Sequence, residues 1–465
     1  MEPTSELPDQ ALLSERILEA LQTEEATQLL REIRPPDLAE ALSTIAPQDA
    51  AKILQHISLE LAVSVIDEHA FANRSLVVGL LDLDLATALV EAMSPDERAD
   101  LFSQLTSELA EVLRPRLSKE VAQNLSALLR YHPESAGGIM TTEFVSIRDH
   151  VTVGEAIESI RAVANQKETI YYTYITEAAT GILLGIVSLR ELLANHPLKL
   201  VKDIMMTEPK TVHADTDQEE VARLLSRYDL LAIPVINARR QVVGIVTVDD
   251  VLDVLIEEQG EDLQKLGGMD AIENSYIQTS FFDLLKKRGG WLAILLFGEM
   301  FTATAMSHFE HDLAKAIVLS LFLPLIISSG GNSGSQATTL IIRALSVGEM
   351  VPSDWWRVLR REFATGLALG LLLAVLGFVR VVLWHLAGFQ DYGPFYYLIG
   401  ATVGLSLIGV VLLGTMAGSM LPFALKRLKL DPASASAPLV ATLVDVSGVV
   451  IYFLVASVIL RGSLL

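Results

Sequence analysis

After Gly289 the chain carries five long apolar stretches in succession, roughly Trp291–Met306, Leu313–Leu345, Phe363–Leu386, Tyr396–Leu425 and Ala435–Leu460. A helix needs about 20 largely apolar residues to cross a bilayer. Five core helices of a soluble domain would not repeat such length and purity, so 289–465 reads as a five-span, all-α membrane domain. The first stretch is short unless Gly289 and Ser307 extend it. The second is overlong, and Ser328-Ser329-Gly330-Gly331-Asn332-Ser333-Gly334 interrupts it, which predicts a broken span.

Basic residues set the orientation. Lys286, Lys287 and Arg288 precede the first span; Arg343, Arg357, Arg360 and Arg361 lie between the second and third; Lys426, Arg427 and Lys429 lie between the fourth and fifth. The loops Ser307–Asp312 and Gly388–Phe395 carry no Lys or Arg. The pattern predicts a cytoplasmic N-terminus, five crossings and an outer C-terminus. Met1 to Gln10 is acidic and contains Pro, unlike a secretory signal.

The charge is as unevenly placed as the apolar residues. Up to Arg288 there are 25 Lys+Arg against 48 Asp+Glu, a net of −23, whereas the remainder has 10 against 9. Nucleic-acid binding is disfavoured, because neutralising phosphates requires clustered cations. The chain has no Cys, so disulfides, thiolate metal sites and Cys nucleophiles are excluded.

Polar groups inside the spans are costly in lipid and therefore informative. Asp445 lies in the fifth, within Pro438-Leu-Val-Ala-Thr-Leu-Val-Asp445-Val-Ser-Gly448. A carboxylate there should face a water-filled path or a partner. A cation pathway is the favoured reading, and a protonated Asp bonding another helix is the alternative. Glu299 in the first span invites the same question, with a bundle interface as its plainer use. Irregular backbone at membrane depth survives only in a cavity or buried in protein. The expected break, with Gly330, Gly331, Asn332, Gln336, Thr338 and Thr339, is therefore a candidate pore lining. His308-Phe-Glu-His311-Asp312 has H-x-x-H spacing, which suits a weak divalent site or simply a solvated loop.

Residues 1–130 read as short amphipathic helices forming an all-α superhelical domain. Pro36-Asp37, Pro47-Gln-Asp49, Asp84-Leu-Ala86 and Pro95-Asp96 mark helix starts at a period near 11 or 12 residues. From Gly138 the pattern turns to alternating strands and helices. Gly185-Ile-Val-Ser188-Leu-Arg190-Glu191 and Gly244-Ile-Val-Thr247-Val-Asp-Asp250 are related strand-to-helix units 59 residues apart. This α/β tandem, 131–200 and 201–256, resembles a pair of CBS modules. The resemblance implies that Ser188, Arg190, Glu191, Thr247 and Asp250 could hold ATP or another adenine nucleotide. A connecting acidic helix follows over 257–288, continuing carboxylate stripes from Asp249, Asp250 and Asp253 to Glu257, Glu258, Glu261 and Asp262. Like charges at i,i+4 destabilise an isolated helix, and hard divalent cations take oxygen ligands. A solvated acidic linker is the competing reading.

Three long motifs carry a closer likeness. At Tyr131-His-Pro-Glu-Ser-Ala-Gly-Gly138-Ile-Met-Thr-Thr, Ser329-Gly-Gly-Asn332-Ser-Gly334-Ser-Gln336-Ala-Thr-Thr-Leu-Ile-Ile-Arg343 and Pro438-Leu-Val-Ala-Thr-Leu-Val-Asp445, nearly the whole chain resembles the MgtE family of magnesium channels. The resemblance implies a homodimer in a bacterial inner (plasma) membrane, its Mg2+ pore on the two-fold axis. Asp445 would be the pore carboxylate and Ala441 a carbonyl beside it, with Ala437 and Pro438 at the start of that motif. The cytosolic Mg2+ sensor maps onto Glu219, Asp229, Asp249, Asp250, Asp253, Glu258, Glu261 and Asp262, with Asp84 facing them. High cytosolic Mg2+ would close the pore and low Mg2+ would open it. Ala437 and Ser335 stand where the family often has Asn, and Thr87 where another acid could sit, which bears on selectivity and sensor affinity. No Walker A sequence or nucleophile–base pair is present, so an enzyme is not expected. A carrier of another divalent cation such as Co2+ or Mn2+, and a membrane-anchored Mg2+ or nucleotide sensor without a pore, are the alternatives.

Overall fold

The computed structural model describes residues 14, 17, 30, 32–272, 276, 279–311 and 316–464. The acidic Met1–Gln10 start, and Asp312 and Leu313, lie outside them. The chain forms two compact units, 1–256 and 257–465.

The first unit opens with short helices: α1 (Pro35–Thr44), α2 (Pro47–His56), α3 (Leu59–Ile66), α4 (Arg74–Val78), α5 (Leu83–Ala92), α6 (Pro95–Gln104), α7 (Ser107–Leu113) and α8 (Lys119–Leu128). Pro begins α1, α2 and α6 after an extended residue, where its missing N–H costs no helical bond. Ser58, Asp82, Thr106 and Ser118 cap α3, α5, α7 and α8 through their side-chain oxygens, each worth about 1 kcal/mol. Leu38, Leu42, Ile53, Leu54, Val65, Ile66, Leu89 and Val90 bury one face of this array. Arg74 is buried among them, donating to Ile66 O at 3.2 Å and pairing with Glu97 and Asp100. Arg98 donates to Val90 O at 2.7 Å and Glu91 O at 3.2 Å, satisfying carbonyls that the end of α5 leaves open.

Two sheets follow. In the first, β1 (Val145–Arg148), β2 (Tyr172–Thr176), β3 (Leu183–Ser188) and β4 (Met206–Thr207) lie in sequence order, with α9 (Val153–Val163) crossing from β1 to its parallel partner β2 and α10 (Leu189–Ala194) following β3. In the second, β5 (Val212–His213), β6 (Ala232–Ile236) and β7 (Val242–Thr247) repeat the plan, with α11 (Gln218–Tyr228) as crossover. The matching registers, Val145↔Thr173 and Val212↔Val235, express the sequence repeat. α12 (Val248–Leu266) leaves β7 directly and carries the acidic stripes.

Among its described residues, the second unit contains five helices long and apolar enough to span a membrane. They are α13 (Phe281–His308), α14 (Leu323–Ser346), α15 (Trp355–Leu386), α16 (Tyr396–Arg427) and α17 (Ala437–Ile459). The first is 28 residues long rather than short. The expected break in the second does not occur: Ser328–Gly334 lies inside the continuous helix α14. Its glycines serve packing instead. A Cβ on Gly414 of α16 would sit 2.3 Å from Gly330 O, so the two backbones touch there. Close approach of small residues drives helix association in lipid, where no hydrophobic effect separates helix from solvent. Ser333 and Thr415 hydroxyls meet at 2.7 Å, and Thr338 Oγ1 donates to Gly418 O at 2.9 Å across the same seam.

Candidate functional site: an ion pathway and an acidic cleft

In the membrane unit the candidate residues divide into buried and open groups. Gly330 is packed against Val410 and Val444, and Gly331 approaches Ala441, where its Cβ would lie 3.6 Å from that of Ala441. Both glycines are buried in the helix packing. Asn332 and Gln336, one turn apart on α14, are exposed, as are Ser328 and Thr339 on the same helix. Ser335 Oγ donates to Ala437 O at 3.4 Å, which joins α14 to the start of α17. Pro438 sits in the first turn of α17, and Ala441 and Asp445 follow one turn apart, both half-exposed. Ser328, Asn332, Gln336 and Thr339 thus form an exposed polar stripe on α14, a helix that packs against α17 at Ser335 and Gly331. Lipid does not solvate amides and carboxylates, so such a stripe belongs against water or protein. The side chain of Asp445 hydrogen-bonds that of Glu299 on α13. His308 stacks edge-on against Phe309.

In the first unit, carboxylates converge where α6, the two CBS-like modules and the start of α12 meet. Asp250 is pushed up to about 7, chiefly by burial, with Asp249 and Glu168 adding to the rise and Thr247 opposing it. Asp96 of α6 is pushed well above the usual range by burial and by Asp250, Glu97 and Glu168. Its Oδ1 is buried without a hydrogen-bond partner. Burial and neighbouring acids also raise Glu168, and burial raises Glu143. Asp67, whose carboxyl accepts from Ser94 N, is raised by burial to about 7, and Glu68 is raised by burial, Glu97 and Asp253. An all-carboxylate set of this kind suits a hard cation, and the orphaned Asp96 oxygen gives it an inward-facing acceptor. Among the described residues no three His, Asp or Glu side chains already converge tightly enough to hold a metal ion.

The other sensor candidates lie elsewhere. Asp84 is exposed at the start of α5 and pairs with Arg116 at 3.0 Å, away from Asp250's charged neighbours. The helical-domain acid that neighbours Asp250 is Asp96, with Glu97 beside it. Glu219 pairs with Arg223 at 3.2 Å in α11, and Asp229 ends that helix in a left-handed conformation at φ 51°. The acids of α12 are split between the units. Asp249, Asp250 and Asp253 belong to the first; Glu258, Glu261 and Asp262 belong to the second. There, Glu261 pairs with Lys265, which also reaches Asp431 at 2.6 Å, and Asp262 accepts from Ser346 Oγ at 2.7 Å. These contacts hold Lys265 firmly protonated despite its partial burial.

The nucleotide candidates are engaged locally. Ser188 and Glu191 form a reciprocal capping box at the start of α10, which also carries Arg190. Thr247 Oγ1 donates to Asp250.

Sequence comparisons agree with this architecture. Residues 33–134 match the MgtE intracellular N domain, 201–257 the CBS domain, and 323–455 the MgtE model described as a divalent cation transporter. The magnesium transporter MgtE of Thermus thermophilus is 41% identical over 376 residues, 79% of this chain and 80% of that protein. The magnesium transporter MgtE of Bacillus subtilis is 32% identical over 429 residues, 92% of each. A crystal structure of the cytosolic domain of the Mg2+ channel MgtE in complex with ATP is 33% identical, covering 52% of this chain and 99% of that one, with a TM-score of 0.49. With identity of this extent through the helical, CBS and membrane segments, the chain belongs to the MgtE family.

Proposed function

We propose that this protein carries Mg2+ inward across the plasma membrane, down its electrochemical gradient, and that cytosolic Mg2+ bound at the acidic cleft shuts the path. The observation that carries the pathway is the exposed polar stripe of Asn332 and Gln336 on α14, which packs at Ser335 and Gly331 against the helix that bears the half-exposed Asp445. A second copy of the chain facing that stripe would enclose it, with two Asp445 carboxylates lining a common path. Mg2+ sheds its water shell reluctantly. A mostly hydrated ion held through its waters by Asp445 and the Ala441 carbonyl is therefore the economical species. The full-length relatives named magnesium transporters support Mg2+ as the cargo. Lys and Arg at the inner ends of the spans support a cytoplasmic N-terminus.

The gate reading rests on Asp96 and Asp250. Their carboxyls stand close in a buried setting and repel when ionised. A divalent cation between them would relieve that repulsion, so occupancy follows the cytosolic concentration. Asp249, Asp253, Glu97 and Glu168 supply the surrounding charge.

Purified protein in liposomes under an imposed Mg2+ gradient tests both parts. Flux is expected, and Asp445→Ala should reduce it to the level of empty vesicles. Mg2+ on the cytoplasmic face should inhibit the parent and inhibit Asp96→Asn less. No flux from either protein would favour a membrane-anchored sensor, and faster Co2+ than Mg2+ entry would reassign the cargo. Adding ATP tests the nucleotide reading, since binding at Thr247 and Asp250 would have to replace their mutual bond.

A further inference from the structure

Helix α13 meets the rest of its unit along α17, through one face. Gly298 stands against Thr442, where a Cβ on the glycine would lie 2.5 Å from Thr442 Cγ2. One turn outward along α17, Asp445 hydrogen-bonds Glu299. Further out, Ala305 and Met306 pack on the apolar cluster containing Val449 and Phe453, and Phe309 stacks on Phe453 with ring centroids 4.9 Å apart. The seam is therefore apolar toward its outer end and polar where Glu299 meets Asp445. Gly298 is what brings the two backbones near enough for that meeting, because any larger residue would hold α13 away from Thr442.

A second polar group lies on this face. Thr302 follows Glu299 by three residues, so the two share one side of the helix. Its Oγ1 is buried and has no hydrogen-bond partner among the described residues. Thr304, two residues on, donates in the ordinary way to Met300 O at 3.0 Å. An unpartnered hydroxyl at membrane depth is costly, and a plain helix–helix contact has no use for it.

From this seam we infer that Glu299 is a second acidic residue of the ion pathway, sharing the cation with Asp445 of the same subunit, and that the Thr302 hydroxyl contacts the ion's hydration shell one turn further along. Two carboxyl groups in contact require a positive charge between them, a proton or a metal ion. The pair is therefore a place where a divalent ion is favoured over a monovalent one, and its oxygens suit a hard cation that keeps its water. The inference rests on reading Asp445 as a pathway residue and extends that reading to α13, which neither the Gly-rich helix nor the Asp445 motif includes.

The test is Mg2+ uptake by proteoliposomes over a range of outer Mg2+ concentrations, with full-length parent, Glu299→Gln, Glu299→Asp, Thr302→Val and Asp445→Ala. Glu299→Gln keeps the shape and a hydrogen bond to Asp445 but removes a carboxylate. It should raise half-saturating Mg2+ by about tenfold, as loss of a group that supports a metal ligand commonly does. Glu299→Asp should recover most of that loss, and Thr302→Val should give a smaller shift in the same direction. A purely structural hydrogen bond would alter yield or thermal stability without moving half-saturation. If Glu299→Gln stays within twofold of the parent while Asp445→Ala is inactive, Glu299 is no part of the path and this inference is overturned alone. If Asp445→Ala conducts normally, the pathway reading itself falls and takes this inference with it. Should Glu299→Gln fail to fold, Glu299→Asp decides: half-saturation shifted at unchanged stability supports the role, and parent-like half-saturation overturns it.

Discussion

The two ends of α12 hold their carboxylates in different ways. In 1–256, burial and neighbouring acids raise Asp96, Asp250 and Glu168 alike, and Asp96 keeps one buried oxygen without a partner. In 257–465, Glu261 and Asp431 share Lys265, and Asp262, raised chiefly by burial, accepts from Ser346. A single helix, α12, carries both kinds. Near its start burial and neighbouring acids raise Asp250, whereas near its end Lys265 supplies a fixed counter-charge to Glu261 and Asp431. Responsiveness to dissolved ions is thus built where the protein withholds a partner.

The largest effect that would break this contrast is pH. Burial raises Asp67 and Asp250 from 3.8 to about 7 in the folded unit. The folded state then binds more protons than the unfolded chain between those values. The first unit should be most stable near or below pH 4 on this account, and should lose that contribution as pH rises through 7. Every tenfold difference in proton affinity between the folded and unfolded chain is worth about 1.4 kcal/mol, so the summed loss is several kcal/mol. Hydrogen exchange on the full-length protein should show α6 and the start of α12 less protected at pH 8 than at pH 5, with Mg2+ restoring protection at pH 8. Equal protection at both pH values without Mg2+ would mean that the acids are not strained.

Removing one crowded charge sharpens the comparison. Asp96→Asn should stabilise the first unit by about 1–2 kcal/mol without Mg2+, since it relieves buried repulsion, and should weaken the response to Mg2+. Asp84→Asn, which breaks only the exposed pair with Arg116, should change stability by less than about 1 kcal/mol and leave the Mg2+ response intact. The smallest effect belongs to the matched end. Lys265→Met leaves Glu261 and Asp431 unpaired in a half-exposed setting, a loss of about 1 kcal/mol, visible as faster exchange at the end of α12 with little change near Asp250.

Much of this arrangement could be read from residues alone, because the informative patterns were long. Five apolar stretches, the 59-residue repeat and the acidic stripes each use many positions to say one thing. Single-position signals failed more readily. Gly330, Gly331 and Gly334 suggested a broken span, since Gly weakens a helix in water; in a bilayer the same residues let α14 touch α16, and the helix continues. Pro95-Asp96-Glu97 read as a helix start, which it is. That Asp96 also neighbours Asp250 depends on how α6 packs against residues about 150 positions later, and no local pattern records such a contact. By the family resemblance Asp84 is expected opposite the sensor acids, and its carboxylate pairs with Arg116 at 3.0 Å.

The backbone contact between α14 and α16 also bears on which substitutions the protein can tolerate. With Gly414 against the Gly330 carbonyl, no side chain separates the two backbones at that point to change rotamer and absorb an error. A conservative step as small as Ala must move a helix, while Leu340 on an exposed face of α14 can exchange with other apolar residues at little cost. Sequence drift in this membrane unit should therefore be sharply anisotropic: nearly frozen along the glycine seam, and permissive wherever a side chain meets lipid.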